Sequence, residues 1–282
     1  MNDIKKLLFN AHNDVKLLEW DPDNTFNRNP KDLETGLTKL FTRMSELQYR
    51  MYVEKKTSVL IILQGMDTSG KDGTIRHVIT AFHPVSCRVE SFKIPSTEEL
   101  AHDYLWRIHK VVPQRGFIGV FNRSHYEDVV EVRVQNLVPL TVWSQRYDQI
   151  NQFERYMVEN NVKVIKFFLY ISKQEQKKRL LERLSDPSKR WKVNEDDFKK
   201  RKKWDQYMQA YGDAISRCST RWAPWYIIPA NKKWFRNWAI AKIIVETLEQ
   251  MKIKYPRYIP PKIKDNSDRL SHSLNSDPTT LK

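Results

Sequence analysis

The chain has 282 residues, with 49 Lys and Arg against 34 Asp and Glu, and a formal net charge of +15. At 40% hydrophobic and 12% aromatic residues it carries material for a buried core, which excludes disorder over most of its length and leaves room for one large domain or two small ones. Its longest purely apolar runs, such as Val59–Leu63, are five residues, far below a membrane span, and Met1-Asn2-Asp3-Ile4-Lys5-Lys6 lacks the order of a secretory signal, so a cytoplasmic location with no membrane partner is expected. Cys87 and Cys218, distant and without CxxC or paired His, are expected to be packing residues.

Residues 1–29 show little periodicity. After Asn29-Pro30, Leu33, Leu37, Leu40, Phe41, Met44, Leu47 and Met51 recur at helical spacing and predict an amphipathic helix over about 31–54. Val59–Leu63 is too short for a helix and reads as a strand buried on both faces; a glycine-bearing loop follows, then Ile75, Val78, Ile79 and Phe82 predict a helix ending near His83-Pro84. Val85, Cys87 and Val89 alternate as a strand, and Ser96-Thr97-Glu98-Glu99 reads as a capping box opening a helix through Leu100, Tyr104 and Ile108. Phe117–Phe121 is a strand, 141–160 a helix, Val162–Ile171 a strand, Trp225–Ile228 a last strand, and 234–251 a last helix. Strands alternating with helices over this length predict an α/β fold in three layers, with a parallel central sheet covered on both faces. Outside the alternation, Ser172 is placed to cap a charged helix to about Leu184, with Glu175 as its box partner; Asp186-Pro187 breaks it, and a second polar helix covers about 194–216. These two charged helices are expected to form a lid over the sheet's C-terminal edge. Lys173 to Trp204 holds 13 Lys and Arg against six Asp and Glu, a net of +7 in 32 residues. Such a segment draws in polyanions.

Gly65-Met66-Asp67-Thr68-Ser69-Gly70-Lys71 fits G-x-x-x-x-G-K, in which backbone N–H groups wrap a phosphate and the lysine neutralises it. The match lies directly after a predicted strand and before a predicted helix, the context that chemistry requires. Where the common loop has a Ser or Thr hydroxyl for Mg²⁺, this one has Asp72, so another ligand is needed. Asp67 inside the loop would repel the phosphate unless a cation lies between them, which makes it the first metal-site candidate. The second motif, Asn122-Arg123-Ser124-His125-Tyr126-Glu127-Asp128, follows the strand Phe117–Phe121. Asn122 stands where many phosphate-loop proteins have a metal-positioning carboxylate, and Glu127 and Asp128 are the acids available to compensate. Arg123 is placed to bind an oxyanion bidentately. His125 is read as a packing or hydrogen-bonding residue, because a phosphate loop favours direct transfer over a phosphohistidine. Arg179 and Arg183, four residues apart on one helix face, are candidate phosphate clamps beside Lys189, Arg190, Trp191 and Lys192.

Taken together, Gln64–Ile75, Phe121–Asp128 and Ala223-Pro224-Trp225-Tyr226 strongly resemble the second family of polyphosphate kinases, and the likeness runs from about residue 30 to 256. The resemblance implies a P-loop kinase fold like that of thymidylate kinase, a helical lid, Mg²⁺ or Mn²⁺, and reversible transfer of a terminal phosphoryl group between inorganic polyphosphate and a nucleotide. It carries catalytic roles to Asp67, Lys71, Arg123, Arg179 and Arg183. Phosphate and nucleotide contacts are expected from Gly65, Met66, Thr68, Ser69, Gly70, Asp72 and Gly73, from Asn122 and Glu127, and from Lys192; the metal is expected on Asp67 and Asp128. Asn122 and Glu127 resemble the branch acting on both nucleoside mono- and diphosphates. The implied organisation is an N-terminal extension over 1–54, a phosphotransferase domain over 55–258 with its lid at about 173–216, and a disordered tail over 259–282, in a homo-oligomer, dimer or tetramer. An ATP-dependent nucleoside monophosphate kinase is the nearest rival reading. A nucleic-acid-binding protein, suggested by the basic charge and the aromatics, ranks third because the phosphate loop gives it no purpose, and no nucleic acid is expected as a partner.

Overall fold

The computed structural model describes residues 7–9 and 15–256. The predicted tail, 259–282, lies outside them. Six strands form one sheet: β1 (Leu8–Phe9), β2 (Ser58–Gln64), β3 (Cys87–Ser91), β4 (Ile118–Asn122), β5 (Val162–Tyr170) and β6 (Trp225–Pro229). Their order is β1-β6-β5-β2-β4-β3, and β2 to β6 are parallel. The short β1, which pairs antiparallel with β6, is the one strand the sequence pattern did not indicate.

Eight helices matter to the site: α1 (Pro30–Glu54), α2 (Lys71–His77), α3 (Glu127–Val134), α4 (Arg146–Glu159), α5 (Lys173–Ser185), α6 (Glu195–Lys202), α7 (Trp204–Cys218) and α8 (Lys233–Gln250). α1 and α8 pack together on one side of the sheet; α3, α4 and α7 pack together on the other. All seven residues of β2 are buried, as a central strand with helices on both faces requires. From β2 the chain passes to β3 and β4 on one side and to β5 and β6 on the other. The loop after β2 therefore sits at the switch point, where the C-terminal ends of the strands open a crevice.

Several predicted helices are shorter than their apolar spacing suggests. α2 stops at His77 and continues as a 3-10 turn over Ile79–Ala81, within the β-branched run Val78-Ile79-Thr80. Ser96 does cap its helix with the full box, but that helix is the single turn Thr97–Leu100 and Trp106–His109 is a separate one. The helix expected over 141–160 is Leu140–Trp143 followed by α4. Ser172 caps α5 by accepting from the Glu175 N–H, whereas the Glu175 carboxylate turns to Arg179 instead of completing a box.

The polar helix expected over 194–216 is two helices, and only α6 is lid-like. α7 buries Trp204, Tyr207, Met208, Ala210, Tyr211, Ala214 and Ile215 against the sheet-covering layer, so the charged excursion ends near residue 203 rather than 216. Gly212 allows the N-terminal segment to lie on α7: a Cβ there would stand 2.7 Å from the Val15 carbonyl oxygen. Val15 N–H donates to Ser216 Oγ at 2.8 Å in the same place. Gly212→Ala is expected to lift this segment from α7 and leave the sheet intact. Limited trypsin cleavage at Lys16 should quicken while the melting temperature stays close to wild type.

Candidate active site

The loop from Gly65 to Lys71 needs two backbone conformations that side chains disfavour. Gly65 has φ +143° and a Cβ on it would meet the Leu169 carbonyl oxygen at 2.7 Å; Gly70 has φ +107° and is covered by the Arg236 guanidinium. Thr68 is also left-handed, at φ +67°. The Lys71 ammonium is folded into its own loop, donating to the carbonyl oxygens of Gly65 at 2.6 Å and Met66 at 3.2 Å. Burial, and then the neighbouring Arg123, lowers its pKa to about 8. Ser69 Oγ and Thr74 Oγ1 are buried without a hydrogen-bond partner among the described residues. Hydroxyls of that kind suit oxygen ligands that arrive with a substrate.

On one side of the loop, Arg123 Nη2 donates to Asp67 Oδ1 at 2.6 Å. Arg123 is itself left-handed, at φ +64°, with its N–H on the Leu63 carbonyl. Gly65, Met66, Asp67, Arg123 and Glu127 line a small cavity together with Glu131, Lys200, Tyr207 and Tyr211. Burial acts to raise the Asp67 carboxyl, but Lys71, Arg123 and Lys200 outweigh it and hold the group below its ordinary value. Asp197, on α6, faces it: burial and then the Asp67 carboxylate push the Asp197 carboxyl up to about 6, against the pull of Arg183, whose Nη1 lies 3.3 Å from Asp197 Oδ2. α5 touches the loop as well through Gln176, whose Nε2 donates to the Asp67 carbonyl at 3.3 Å and whose Oε1 accepts from Arg201 of α6 at 3.0 Å.

On the other side, a cleft of about 310 Å³ is lined by Gly70, Gly73, Arg179, Arg183, Lys189, Lys233 and Arg236, with Glu182 the acid among its lining residues. Arg179 is buried and fully engaged. Its Nη1 donates to the Thr68 and Ser69 carbonyls, its Nη2 to those of Ala230 and Asn231, and its Nε to Glu175. Its guanidinium thus braces the loop from behind. Arg236, 2% exposed, has Asn237 Oδ1 as its acceptor and no carboxylate partner among the described residues; burial, and then Arg179, lowers its pKa to about 10.

Two departures from the common loop pattern meet each other: Asn122 Nδ2 donates to Asp72 Oδ1 at 2.8 Å. The acid expected at the strand end has moved to the end of the loop, and the amide that replaced it binds it. Asp128 is not joined to Asp67. Its Oδ1 lies 3.2 Å from Arg146 Nη1 and its Oδ2 3.9 Å from Arg107 Nη2, and burial pushes its carboxyl up to about 6. Glu131, one turn after Glu127 on α3, is the acid that shares the cavity instead. Lys192 lies in the turn Arg190–Lys192, but its side chain is outside the described residues. His125 is fully buried and out of reach of a phosphoryl group. Glu131, Asp197, Lys200 and Arg236 escaped the sequence reading because each reaches the loop only through tertiary contacts.

Residues 28–256 match the family model of Polyphosphate kinase 2 (PPK2). The chain belongs to the polyphosphate kinase 2 family. It is 48% identical over 256 residues to the AMP/ADP-polyphosphate phosphotransferase of Meiothermus ruber, a match covering 90% of this chain and 96% of that protein. With the ADP-polyphosphate phosphotransferase of Rhodopseudomonas palustris the identity is 42% over 235 residues, covering 79% and 81%. The fold is similar to the crystal structure of polyphosphate kinase 2 from Arthrobacter aurescens TC1, with a TM-score of 0.89 at 37% identity, over 95% of this chain and 96% of that one. It is the three-layer α/β arrangement of a P-loop kinase. No helix among the described residues is long and apolar enough to cross a membrane.

The residues around Asp67 fit a hard divalent cation. No group of three or more His, Cys, Asp or Glu among the described residues could hold a metal alone, but the half-buried Asp67 and the buried Asp197 face each other, and Asp197 is pushed up by its burial and then by Asp67. Mg²⁺ would relieve that opposition and complete its shell with phosphate oxygens and water, its usual mode. A raised carboxyl pKa costs stability above about pH 6, where the group ionises, and costs nothing below its ordinary value of 3.8. In metal-free buffer, Asp197→Asn should therefore be more stable than wild type at pH 8, and the gap should close as the pH falls toward 4. Thermal unfolding across that range tests this; a gap independent of pH would contradict it.

Proposed function

We propose that this protein transfers the terminal phosphoryl group of inorganic polyphosphate to nucleoside mono- and diphosphates, ADP, AMP, GDP and GMP among them, reversibly and with Mg²⁺ or Mn²⁺. The observation that carries this is the placement of the phosphate loop between two openings of different charge. Behind Gly70, the cleft with five Lys and Arg and one acid matches a polymer with about one negative charge per phosphate. In front, Asp67, Arg123 and Glu127 offer an acid, a cation and a second acid around a cavity of only about 10 Å³, which has to widen to admit a metal-bound terminal phosphate and its acceptor. The named activities of the relatives from Meiothermus ruber and Rhodopseudomonas palustris support the reading, the first for AMP and ADP together.

In this mechanism the loop amides hold the donor's terminal phosphates. Lys71, released from the Gly65 and Met66 carbonyls, follows the charge as it develops. An oxygen of the acceptor's last phosphate attacks the terminal phosphorus in line; the bond to the bridging oxygen breaks, and the electron pair leaves with the shortened polyphosphate. Asp67 would hold Mg²⁺, which would neutralise the phosphate oxygens when bound. Arg123 and Arg183 stabilise the spread charge of a metaphosphate-like transition state, while Arg179 and Arg236 hold the loop's shape and lend it positive potential. No covalent enzyme intermediate is needed. We also expect the assembly to be a homo-oligomer.

Incubation with polyphosphate and AMP or ADP should yield ATP without another nucleotide donor; product formed only when a nucleoside triphosphate donor is added would favour an ATP-dependent monophosphate kinase. Lys71→Ala and Asp67→Ala should each lower kcat by at least about 10²-fold with melting close to wild type. Chelation should abolish turnover, and Mg²⁺ or Mn²⁺ should restore it.

A further inference from the structure

Beneath the turn that presents Arg123 and Glu127 lies a charged cluster that the mechanism does not use. Lys166, on β5, and Glu154, on α4, are both 0% exposed, with Lys166 Nζ 2.5 Å from Glu154 Oε2. The ammonium donates also to the Cys218 carbonyl at 2.6 Å and to the Tyr126 hydroxyl at 2.8 Å. Tyr126 donates in turn to Glu154 Oε1 at 2.9 Å, and His125 Nε2 lies 3.3 Å from the same oxygen. Burial keeps His125 neutral against the pull of Glu154, so Nε2 carries the proton, and Nδ1 has no partner among the described residues.

We propose that Lys166 and Glu154 are positioning residues for phosphoryl transfer. They fix, from inside the core, the turn that aims Arg123 and Glu127 at the phosphate loop. A buried Lys–Glu pair gives little or no stability over well-packed apolar residues of the same volume, so stability alone does not explain its presence. Its links to the β4–α3 turn go to His125 and Tyr126. These residues lie between Arg123, held left-handed at φ +64°, and Glu127, the first residue of α3. Ser124 is tied in the same way, its Oγ accepting from Gln64 Nε2 at 3.2 Å and from the Tyr126 N–H at 3.3 Å. A strained conformation persists only where its surroundings over-determine it, and here three consecutive residues are held from below while Arg123 points up to Asp67.

The inference rests on the polyphosphate-dependent activity proposed above, and the test separates the two. Lys166→Met, Glu154→Leu and the double variant are compared with wild type by melting temperature, kcat, and KM for nucleotide and polyphosphate. Each single change leaves a buried unpaired charge and should melt far below wild type; the double change removes both charges and should recover part of that loss, the rest being the hydrogen bonds lost by the Cys218 carbonyl, the Tyr126 hydroxyl and His125 Nε2. Its kcat should nevertheless stay at least about tenfold down, with both KM values within about twofold, because misplacing Arg123 harms the transition state more than substrate binding. In an Arg123→Ala background the double change should cost much less, the signature of action through Arg123. A double variant with wild-type kcat, or one whose loss is undiminished without Arg123, overturns the proposal. If the double variant does not fold, Tyr126→Phe serves: reduced kcat at near-normal melting supports the proposal, and wild-type kcat overturns it. A wild-type protein that makes no product from polyphosphate refutes the functional reading instead.

Discussion

The guanidinium of Arg236 lies where a side chain on residue 70 would have to be, and the rest of the site follows from that close approach. With Gly70 left-handed against one arginine, and the Thr68 and Ser69 carbonyls held by Arg179, the loop's acceptors are turned backward and occupied. The hydroxyls of Thr68, Ser69 and Thr74 are left without partners among the described residues, and Lys71 is bound only to the loop's own Gly65 and Met66 carbonyls. Two buried guanidiniums behind a tight loop also give it a positive potential that water screens poorly. An anion is the natural occupant of such a place.

Asp67 gives the other half of the balance. A carboxylate inside an anion-binding loop would be a defect by itself, and here it is met by Lys71, Arg123 and Lys200 and opposed by Asp197 across the lid contact. The charges nearly cancel without a substrate. Under the proposed function, a phosphate chain and a divalent cation would change both sides of that balance together, and α6, through Asp197, would respond to both. The exchange of roles between Asp72 and Asn122 belongs to the same arrangement, since it keeps an acid near the loop while freeing the end of β4 from a charge.

Much of this was legible in local sequence. The apolar run of β2, the glycine spacing after it and the Ser96 and Ser172 N-caps depend on neighbours within a few residues, and they appear in the structure, although the box expected at Ser172 is not completed and the Ser96 helix is a single turn. The errors have two causes. Residues 194–216 read as one polar helix, yet after the charged α6 the residues Trp204, Tyr207, Met208, Tyr211 and Ile215 form an apolar stripe at helical spacing that α7 buries by packing on α3 and α4. Asp128 looked as good a metal candidate as any acid in its motif until Arg107 and Arg146, brought in from other helices, engaged it. Lys166 and Arg236 did leave a signal. Each is a cation beside large apolar residues, Ile165 and Phe167 or Trp234 and Phe235, where a charge without a purpose would be costly, and each proves to be buried.

A crystal grown with a short polyphosphate and a nucleotide tests the central claim most directly. The account predicts a phosphate group cradled by the amides of Gly65 to Lys71, with the chain leading into the cleft of Arg183, Lys233 and Arg236 and the nucleotide's last phosphate on the Asp67 and Arg123 side. Phosphates lodged away from that loop, with Lys71 still bound to the Gly65 carbonyl, would contradict it.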